Sequence, residues 1–154
     1  MSEATVRASI KTLIEAVSNV GLVYDHEPFA ATWDEYVDQF KCKVLGRDQV
    51  RAWTISMEAM PRERLTVASA RNTHNQARFN YKVRGYCGFN EECETETEFM
   101  TVVIAVLNKL DTGIVTGNAY NAPVAQLDNY VPRTFGGVLC HYAEITQEVI
   151  EIIV

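Results

Sequence analysis

Apolar residues recur at helical spacing in three segments of the chain. The first segment predicts an amphipathic helix over residues 6–17. A second, shorter helix follows Thr32, which forms a T-x-x-E capping box with Glu35. A third helix is predicted after Asn90, a residue suited to an N-cap. The apolar face of this third helix consists of Phe99, Val102, Val103, Val106 and Leu110.

Two further segments alternate apolar and polar residues, a pattern typical of half-buried strands. They predict strands at residues 51–59 and 78–84, with Phe79, Tyr81 and Val83 of the second strand pointing inward.

Shorter β-prone segments lie at residues 22–25 and 125–131, and a last strand is expected from Val138. The strands come in hairpin-like pairs, without the regular strand–helix–strand alternation of a parallel sheet. We therefore expect a single domain over residues 1–154 with an α+β fold. Its antiparallel sheet should have about four strands, with the helices packed on one face.

The segment at residues 60–77 separates two strands and is polar and basic. It is too long for a tight turn, so it is either a mobile loop or an extended hairpin arm. A segment of this length in a compact domain is usually functional. We expect it to project from the sheet and contact another subunit.

The composition is that of an ordinary folded chain, with 154 residues of which 47% are hydrophobic and 22% charged. The formal net charge of -6 makes general nucleic-acid binding unfavourable, since phosphate neutralisation requires clustered cations. Apolar runs fall short of the roughly 18 residues of a membrane span, and the N-terminus lacks a signal-peptide pattern. The expected location is a cytoplasm, where free thiols are favoured for Cys42, Cys87, Cys93 and Cys140.

The sequence offers little chemistry. Five residues separate Cys87 from Cys93, outside the usual spacing of zinc ligands. His26, His74 and His141 occur in unrelated contexts, without a nucleophile motif. Glycine-rich phosphate loops are absent from the sequence as well. The sequence therefore predicts no catalytic, metal-binding or cofactor-binding residues, and no enzyme.

Charge is unevenly distributed along the chain. Basic residues concentrate in residues 47–84, and glutamates in residues 91–98. Ordinary surface charge and the preference of a helix N-terminus for carboxylates account for both groups. Alternatively, the two groups are complementary surfaces of subunits joined head to tail. The candidate interface residues are then Arg62, Arg64, Arg71, Arg78, Lys82, Arg84, Glu91, Glu92 and Glu94.

The C-terminal segment is unusually apolar for a free chain end. Ile150, Ile152 and Val154 are candidates for the apolar part of the same interface. Exposed charge pairs contribute only about 0–1 kcal/mol each, so apolar contacts would have to supply most of the affinity. Packing of these three side chains in the subunit's own core is the alternative.

Five motifs, taken in order, resemble tail terminator and tail completion proteins of tailed bacteriophages and prophages. The first two are G-L-V-Y-D-H-E-P-F at 21–29 and T-W-D-E-Y-V-D-Q-F at 32–40. The others are R-A-W-T-I-S at 51–56, R-F-N-Y-K-V-R-G-Y-C-G at 78–88 and R-T-F-G-G-V-L-C-H-Y-A-E-I at 133–145. With the intervening helices, the resemblance extends over nearly the whole chain.

The resemblance implies a virion structural protein at the neck end of the tail, assembled in the host cytoplasm. Such proteins form a hexameric ring on the tail tube, stop its polymerisation and present a joining surface to head-side connector proteins. DNA passes through such a ring without being read. The resemblance implies no enzymatic activity and no cofactor. The alternatives are another neck or tail completion protein and, from a different class, a small-ligand-binding domain or enzyme.

Overall fold

In a computed structural model, the chain is described over residues 3–66, 73–90, 94–113, 119–121 and 124–153. These ranges contain three helices and eight strands. The helices are α1 (Glu3–Glu15), α2 (Trp33–Asp38) and α3 (Thr95–Asp111). The strands are β1 (Leu22–Tyr24), β2 (Lys41–Val44), β3 (Arg47–Ala59), β4 (Arg62–Thr66), β5 (Thr73–Gly88), β6 (Ala119–Asn121), β7 (Gln126–Phe135) and β8 (Val138–Ile153).

The strands form one mixed sheet in the order β1-β3-β5-β8-β6. In addition, β2 pairs with β3, β4 with β5, and β7 with β8. Only β1 runs parallel to its neighbour among the described pairs, and the others are antiparallel. The α+β class is thus confirmed. The predicted four strands correspond to the long strands β3, β5, β7 and β8, and the four short strands lie beside them.

One face of the sheet carries the larger core. Trp53 and Ile55 of β3 and Phe79, Tyr81 and Val83 of β5 pack there against α1 and α3. Fully burying a large apolar side chain contributes roughly 1.5–3 kcal/mol, so this layer dominates the stability of the fold. The buried residues of the two helices are Val6, Ile10 and Ile14 of α1 and Thr95, Phe99, Val102, Val103, Val106 and Leu110 of α3.

The short helix α2 lies on the opposite face of the sheet. Its Val37 and the following Phe40 pack against Ala52, Cys140 and the partly buried Tyr86, which alternate with the residues of the larger core. The predicted placement of helices on one face therefore holds for α1 and α3. The second face has its own smaller core at one end, and its remainder is polar.

A tight hairpin between β2 and β3 was not expected from the sequence. Leu45 and Gly46 form its two-residue turn with φ angles of 52° and 79°. Positive φ at both positions is typical of the turns that match the twist of hairpin strands. Lys41 and Lys43, which follow α2 in the sequence, lie in β2.

Of the two alternatives predicted for residues 60–77, the extended hairpin arm is observed on both sides of residues 67–72, which lie outside the described residues. β4 pairs with the start of β5 from Arg62 opposite Ala77 to Thr66 opposite Thr73. In R-E-R-L-T, charged residues fall on both alternating positions, which removes the period-2 signal of a half-buried strand.

The start of α3 also differs from the prediction. The helix begins at Thr95, and the N-cap position is held by Glu94 with φ 49°. Asn90 is not the cap. Its backbone N–H instead donates to the Thr95 hydroxyl at 3.0 Å. The N-cap preference of asparagine was therefore a misleading signal at this position.

Candidate interaction surfaces

The most exposed apolar side chains of the described residues lie together after β1. Phe29 is 89% exposed and Trp33 70% exposed. With Ala30 and Ala31 they border a shallow depression of about 320 Å³. We call these four residues the aromatic patch. Two large aromatic rings held in water are unusual for a monomer and are typical of a binding surface.

Hydrogen bonds hold the backbone of the aromatic patch. The Gln39 side-chain amide donates to the carbonyl of Phe29 at 3.0 Å. Upstream, Arg7 of α1 donates to the carbonyl of Asp25 at 2.9 Å. The segment between β1 and α2 is thereby attached both to α1 and to the end of α2. Its aromatic side chains are presented by an ordered backbone, which lowers the entropy lost on binding.

A cluster of aromatic rings, of which Phe40 is fully buried and the others partly buried, packs beneath Trp33. Its ring centroid lies 5.9 Å from that of Tyr36, which lies 5.1 Å from Phe40. Phe135 lies 4.7 Å from both Phe40 and Tyr86. Tilted and edge-on ring pairs at these distances are favourable. The cluster fixes α2 against β5 and β7, and with it the position of Trp33.

The turn between β7 and β8 fits closely against α2. A Cβ atom on Gly136 would lie 2.0 Å from Cγ2 of Val37. Gly136 also has a φ of 54°, in the left-handed region that favours glycine. The glycine at position 136 therefore permits both the tight turn and the close packing of this turn against α2.

The polar part of the sheet face that carries α2 contains a network of ion pairs. Lys82 Nζ lies 2.5 Å from Asp128 and 3.4 Å from Glu144. Arg84 Nε lies 3.2 Å from Glu144. Tyr142 also donates its hydroxyl to Glu144 at 2.8 Å. Three donors from β5 and β8 thus converge on a single carboxylate.

Arg84 extends the network towards the aromatic patch. Its guanidinium lies 3.3 Å from Glu27 and 3.2 Å from Glu58, and it donates to the Ser56 hydroxyl at 2.7 Å. Glu27 precedes the patch and also accepts from Thr54 at 3.3 Å. The network therefore fixes the patch segment to the sheet.

The network determines the protonation of its central groups. Burial acts to raise the pKa of Glu144, but hydrogen bonds from Tyr142, Arg84 and Lys82 outweigh it, and the pKa is lowered. The hydrogen bond to Asp128 contributes most to raising the pKa of Lys82. Both groups are thus held in their charged forms.

The network corrects the idea that β5 presents a basic face. Lys82 and Arg84 are matched by four carboxylates of the same subunit, those of Glu27, Glu58, Asp128 and Glu144. Arg78 likewise lies 3.3 Å from Glu148. The sequence showed the basic residues of one strand but not the acidic residues placed across from them.

The other predicted interface residues are scattered. Arg62 is exposed at the start of β4, and Glu94 is exposed at the start of α3, across the sheet from Lys82 and Arg84. Ile150 is buried in its own subunit. The backbones of Arg64 and Ile152 lie in β4 and β8. Outside the described residues lie Arg71, Glu91, Glu92 and Val154.

A groove of about 630 Å³ runs between the end of α1 and α3, on the other face of the sheet. We call it the helix groove. Its apolar lining consists of Ala16, Val17, Leu45, Val102 and Ala105. Its polar lining includes Arg51, Glu94, Glu98, Thr101 and Lys109.

A buried arginine forms the base of the helix groove. Arg51 is 1% exposed, and its Nη2 lies 3.1 Å from Glu98 Oε2. Arg47 binds the other oxygen of Glu98 at 2.6 Å. Arg51 also donates to the carbonyl of Asn19 at 3.2 Å. Sequence reasoning missed this pair, although Arg51 shares the inward alternation of Trp53, which was a usable signal.

Two cysteines, Cys87 and Cys140, and one histidine, His141, are buried inside the fold. Cys42, Cys87 and Cys140 are free thiols, and Cys93 lies outside the described residues. Burial raises the pKa of Cys140 to about 12, so its reactive thiolate is scarce. His141 is buried, with its ring 3.8 Å from that of Phe89.

No group of three or more histidine, cysteine or acidic residues within the described ranges is arranged to hold a metal ion. The helices in those ranges are too short or too polar to span a membrane. A comparison with models of known protein families gave no match. The curated proteins likewise include none whose sequence matches this chain.

Proposed function

We propose that this chain is a structural subunit of a phage tail, of the tail terminator type. In this role it forms a ring on the tail tube, ends tail polymerisation and provides the surface that joins the head-side connector. The observation that carries the proposal is the ordered aromatic patch, a binding surface for protein. The resemblance over residues 21–145 supplies the particular assembly.

The aromatic patch has the properties of an interface centre. Tryptophan is enriched among the residues that dominate binding energy, and Phe29 and Trp33 are both largely exposed. Removing such a side chain from water contributes roughly 1.5–3 kcal/mol. Supporting rings and backbone hydrogen bonds fix both positions before binding. The α+β architecture, with α1 and α3 on one face of four long strands, is compatible with a tail-terminator-like fold.

The proposal is tested in a phage that lacks the normal protein. Tails should be irregular in length and should fail to join heads. Supplying the intact chain should restore both properties, and supplying Phe29→Ser with Trp33→Ser should not. Ile104→Ser is the matched control, because Ile104 is exposed on α3 and outside the patch. Tails of normal length that join heads without the protein would contradict the proposal.

Another neck or tail completion protein is the alternative within the same class. It would use the same aromatic patch, but its loss would block head joining while leaving tail length uniform. Electron micrographs of the same deletion phage therefore separate the two.

A small-ligand-binding domain is favoured by one specific observation, the helix groove with Arg51 and Lys109 in its lining. This alternative requires the groove to accept a small molecule in the folded chain. A thermal-shift screen with small carboxylates and phosphates would reveal it as a saturable rise in Tm.

A further inference from the structure

We infer that the aromatic patch binds an arginine side chain of a partner protein, with the guanidinium group stacked against the exposed rings. The inference deepens the proposed function and rests on it in one respect, that the patch is a surface for binding protein. It names the chemistry of the partner, which the exposure of the rings alone leaves open. The arrangement of the rings, the charge around them and a similar contact elsewhere in the subunit support it.

Three aromatic rings line the depression beside the patch. Phe29, Trp33 and Tyr36 all border this space of about 320 Å³, and the other lining residues are proline, alanine and threonine. The ring planes of Trp33 and Tyr36 meet at 80°, so the two rings turn their faces in different directions. The face of an aromatic ring attracts a cation. A recess bordered by several such rings is typical of binding sites for organic cations.

The chain around the depression is acidic. From Asp25 to Asp38 it carries five carboxylates and neither lysine nor arginine. Three of the five are paired within the subunit, Asp25 with His26, Glu27 with Arg84, and Asp38 with Lys41. The other two, Asp34 and Glu35, are exposed in the first turn of α2 and form no ion pair with any described residue. Two carboxylates beside Trp33 are therefore available to a cationic ligand.

Negative charge also acts inside the depression. Burial raises the pKa of Tyr36, and the charge of Glu27 raises it further. Glu27 therefore acts on the Tyr36 hydroxyl although it is paired with Arg84. The field that disfavours a tyrosinate at this position stabilises a cation that enters the depression. An aliphatic side chain would gain nothing from this field, so the charge favours a cationic partner.

Among cations, arginine suits the site better than lysine. A guanidinium is planar and weakly hydrated, so it stacks on a ring and donates two parallel hydrogen bonds to a carboxylate. The subunit already contains such a stack on the same face of the sheet, where Arg133 Cζ lies 4.0 Å from the ring centroid of Tyr142. A lysine ammonium holds its water more tightly and should bind more weakly.

The test uses the full chain labelled with ¹⁵N and a short peptide of glycine and serine with one central arginine. A peptide with citrulline in place of arginine is the matched ligand, because citrulline has the same planar shape without the charge. The chain has two tryptophans, Trp33 exposed and Trp53 buried. Their indole N–H signals therefore report on the patch and on the core separately.

The arginine peptide should shift the Trp33 indole signal saturably in the millimolar range, as expected for one side chain. The Trp53 signal should stay in place. The citrulline peptide should bind about tenfold more weakly or less, and the lysine peptide should lie between the two. Phe29→Leu keeps an apolar side chain but removes one ring, so it should weaken binding about 2- to 5-fold.

Asp34→Asn with Glu35→Gln tests the carboxylates and should weaken binding of the arginine peptide about 2- to 5-fold. Asp48→Asn with Glu96→Gln is the control, because it removes the same charge from exposed positions on other elements. The control should bind as the unmodified chain does. Unchanged backbone signals outside the patch verify that each variant is folded.

Several results would overturn the inference. If the Trp33 signal does not shift with the arginine peptide, or shifts equally with citrulline, the patch does not select a cation. Equal binding by the two charge variants would remove Asp34 and Glu35 from the site. A Trp33 shift that depends on protein concentration and leaves the peptide without effect would show that a second copy of the chain occupies the patch.

The phage experiment distinguishes this inference from the proposed function. If the arginine peptide fails to bind but the intact chain still restores tails, the arginine site is wrong and the tail function stands. If the peptide binds as expected but tails are normal without the protein, the arginine site stands and the tail function is wrong.

Discussion

The indole ring of Trp53 lies directly over Gly85, its partner across the β3–β5 strand pair. A Cβ atom on Gly85 would lie 2.7 Å from Cη2 and 2.8 Å from Cζ3 of Trp53. Because Trp53 is fully buried, its ring has no free space to move into. Glycine at position 85 is thus a packing requirement of the largest buried side chain.

Gly85→Ala should lower the free energy of unfolding by about 1–3 kcal/mol, the usual cost of overpacking a core. Gly88→Ala is the matched control in the same strand, since its Cβ would meet Val50 at an ordinary 3.7 Å. Urea unfolding of both variants measures the difference. Equal stabilities would show that the Trp53 ring adjusts without cost.

The Arg51–Glu98 pair gives a second prediction. Glu98→Gln should lower the free energy of unfolding by about 1.5–3 kcal/mol, because a buried arginine loses its charged acceptor. Glu96→Gln is the control, on the same helix but exposed. Chemical denaturation at neutral pH compares them. If both variants have the same free energy of unfolding as the unmodified chain, the Arg51 guanidinium must find another acceptor when Glu98 is replaced.

The spacing of apolar residues predicted the buried side chains correctly where one face of a helix or strand is apolar throughout. The five apolar residues predicted for α3 are all buried, and so are Phe79, Tyr81 and Val83 of β5. The same reasoning was only half right for α2. Trp33, Tyr36, Val37 and Phe40 have helical spacing, but α2 begins at Trp33, whose side chain therefore projects beyond the core that covers Val37.

Neither the charge pairing on β5 nor the helix groove could be predicted from the sequence, because both depend on which distant segments lie next to each other in the fold. Arg84 faces Glu144 across β5 and β8, sixty positions apart in the chain. Because nothing local in the sequence fixes that pairing, there was no sign in the sequence that Lys82 and Arg84 have acidic partners. The helix groove likewise requires α1, α3 and the β2–β3 turn to meet, and β2 itself lacks a clear alternating pattern.

Buried His141 predicts a pH dependence of stability. Burial lowers the pKa of His141 below its ordinary value, so the unfolded chain binds this proton more readily than the folded chain. Stability from this residue is complete above about pH 6.5 and decreases as the pH falls towards the lowered value.

His141→Gln should remove this component. Between about pH 7.5 and about pH 5.5, the unmodified chain should lose more stability than the variant does. Carboxylates such as Glu144, whose pKa is lowered, titrate in more acidic solution and are common to both proteins. Guanidinium unfolding at the two pH values measures the difference between the slopes. Parallel pH profiles would mean that His141 is protonated equally in both states.

Reversing the charges of Lys82 and Arg84 on β5 distinguishes a role in folding from a role in assembly. Lys82→Glu with Arg84→Glu removes both cations from the network and adds two carboxylates beside Glu27, Glu58, Asp128 and Glu144. Pairs near the surface contribute about 0.2–1 kcal/mol each, and five ion pairs are lost, so the free energy of unfolding should fall by roughly 1–5 kcal/mol.

The partners of Lys82 and Arg84 lie in their own subunit, so their loss should appear as a lower Tm before any effect on assembly. Adding Asp128→Lys and Glu144→Lys to the reversed chain should recover part of the Tm, whereas adding Glu91→Lys and Glu92→Lys should not. Arg62→Glu serves as the control, because Arg62 is exposed on β4 and such changes usually stay within about 0.5 kcal/mol. An unchanged Tm together with loss of the ring, restored by the changes at residues 91 and 92, would instead place Lys82 and Arg84 in the contact between subunits.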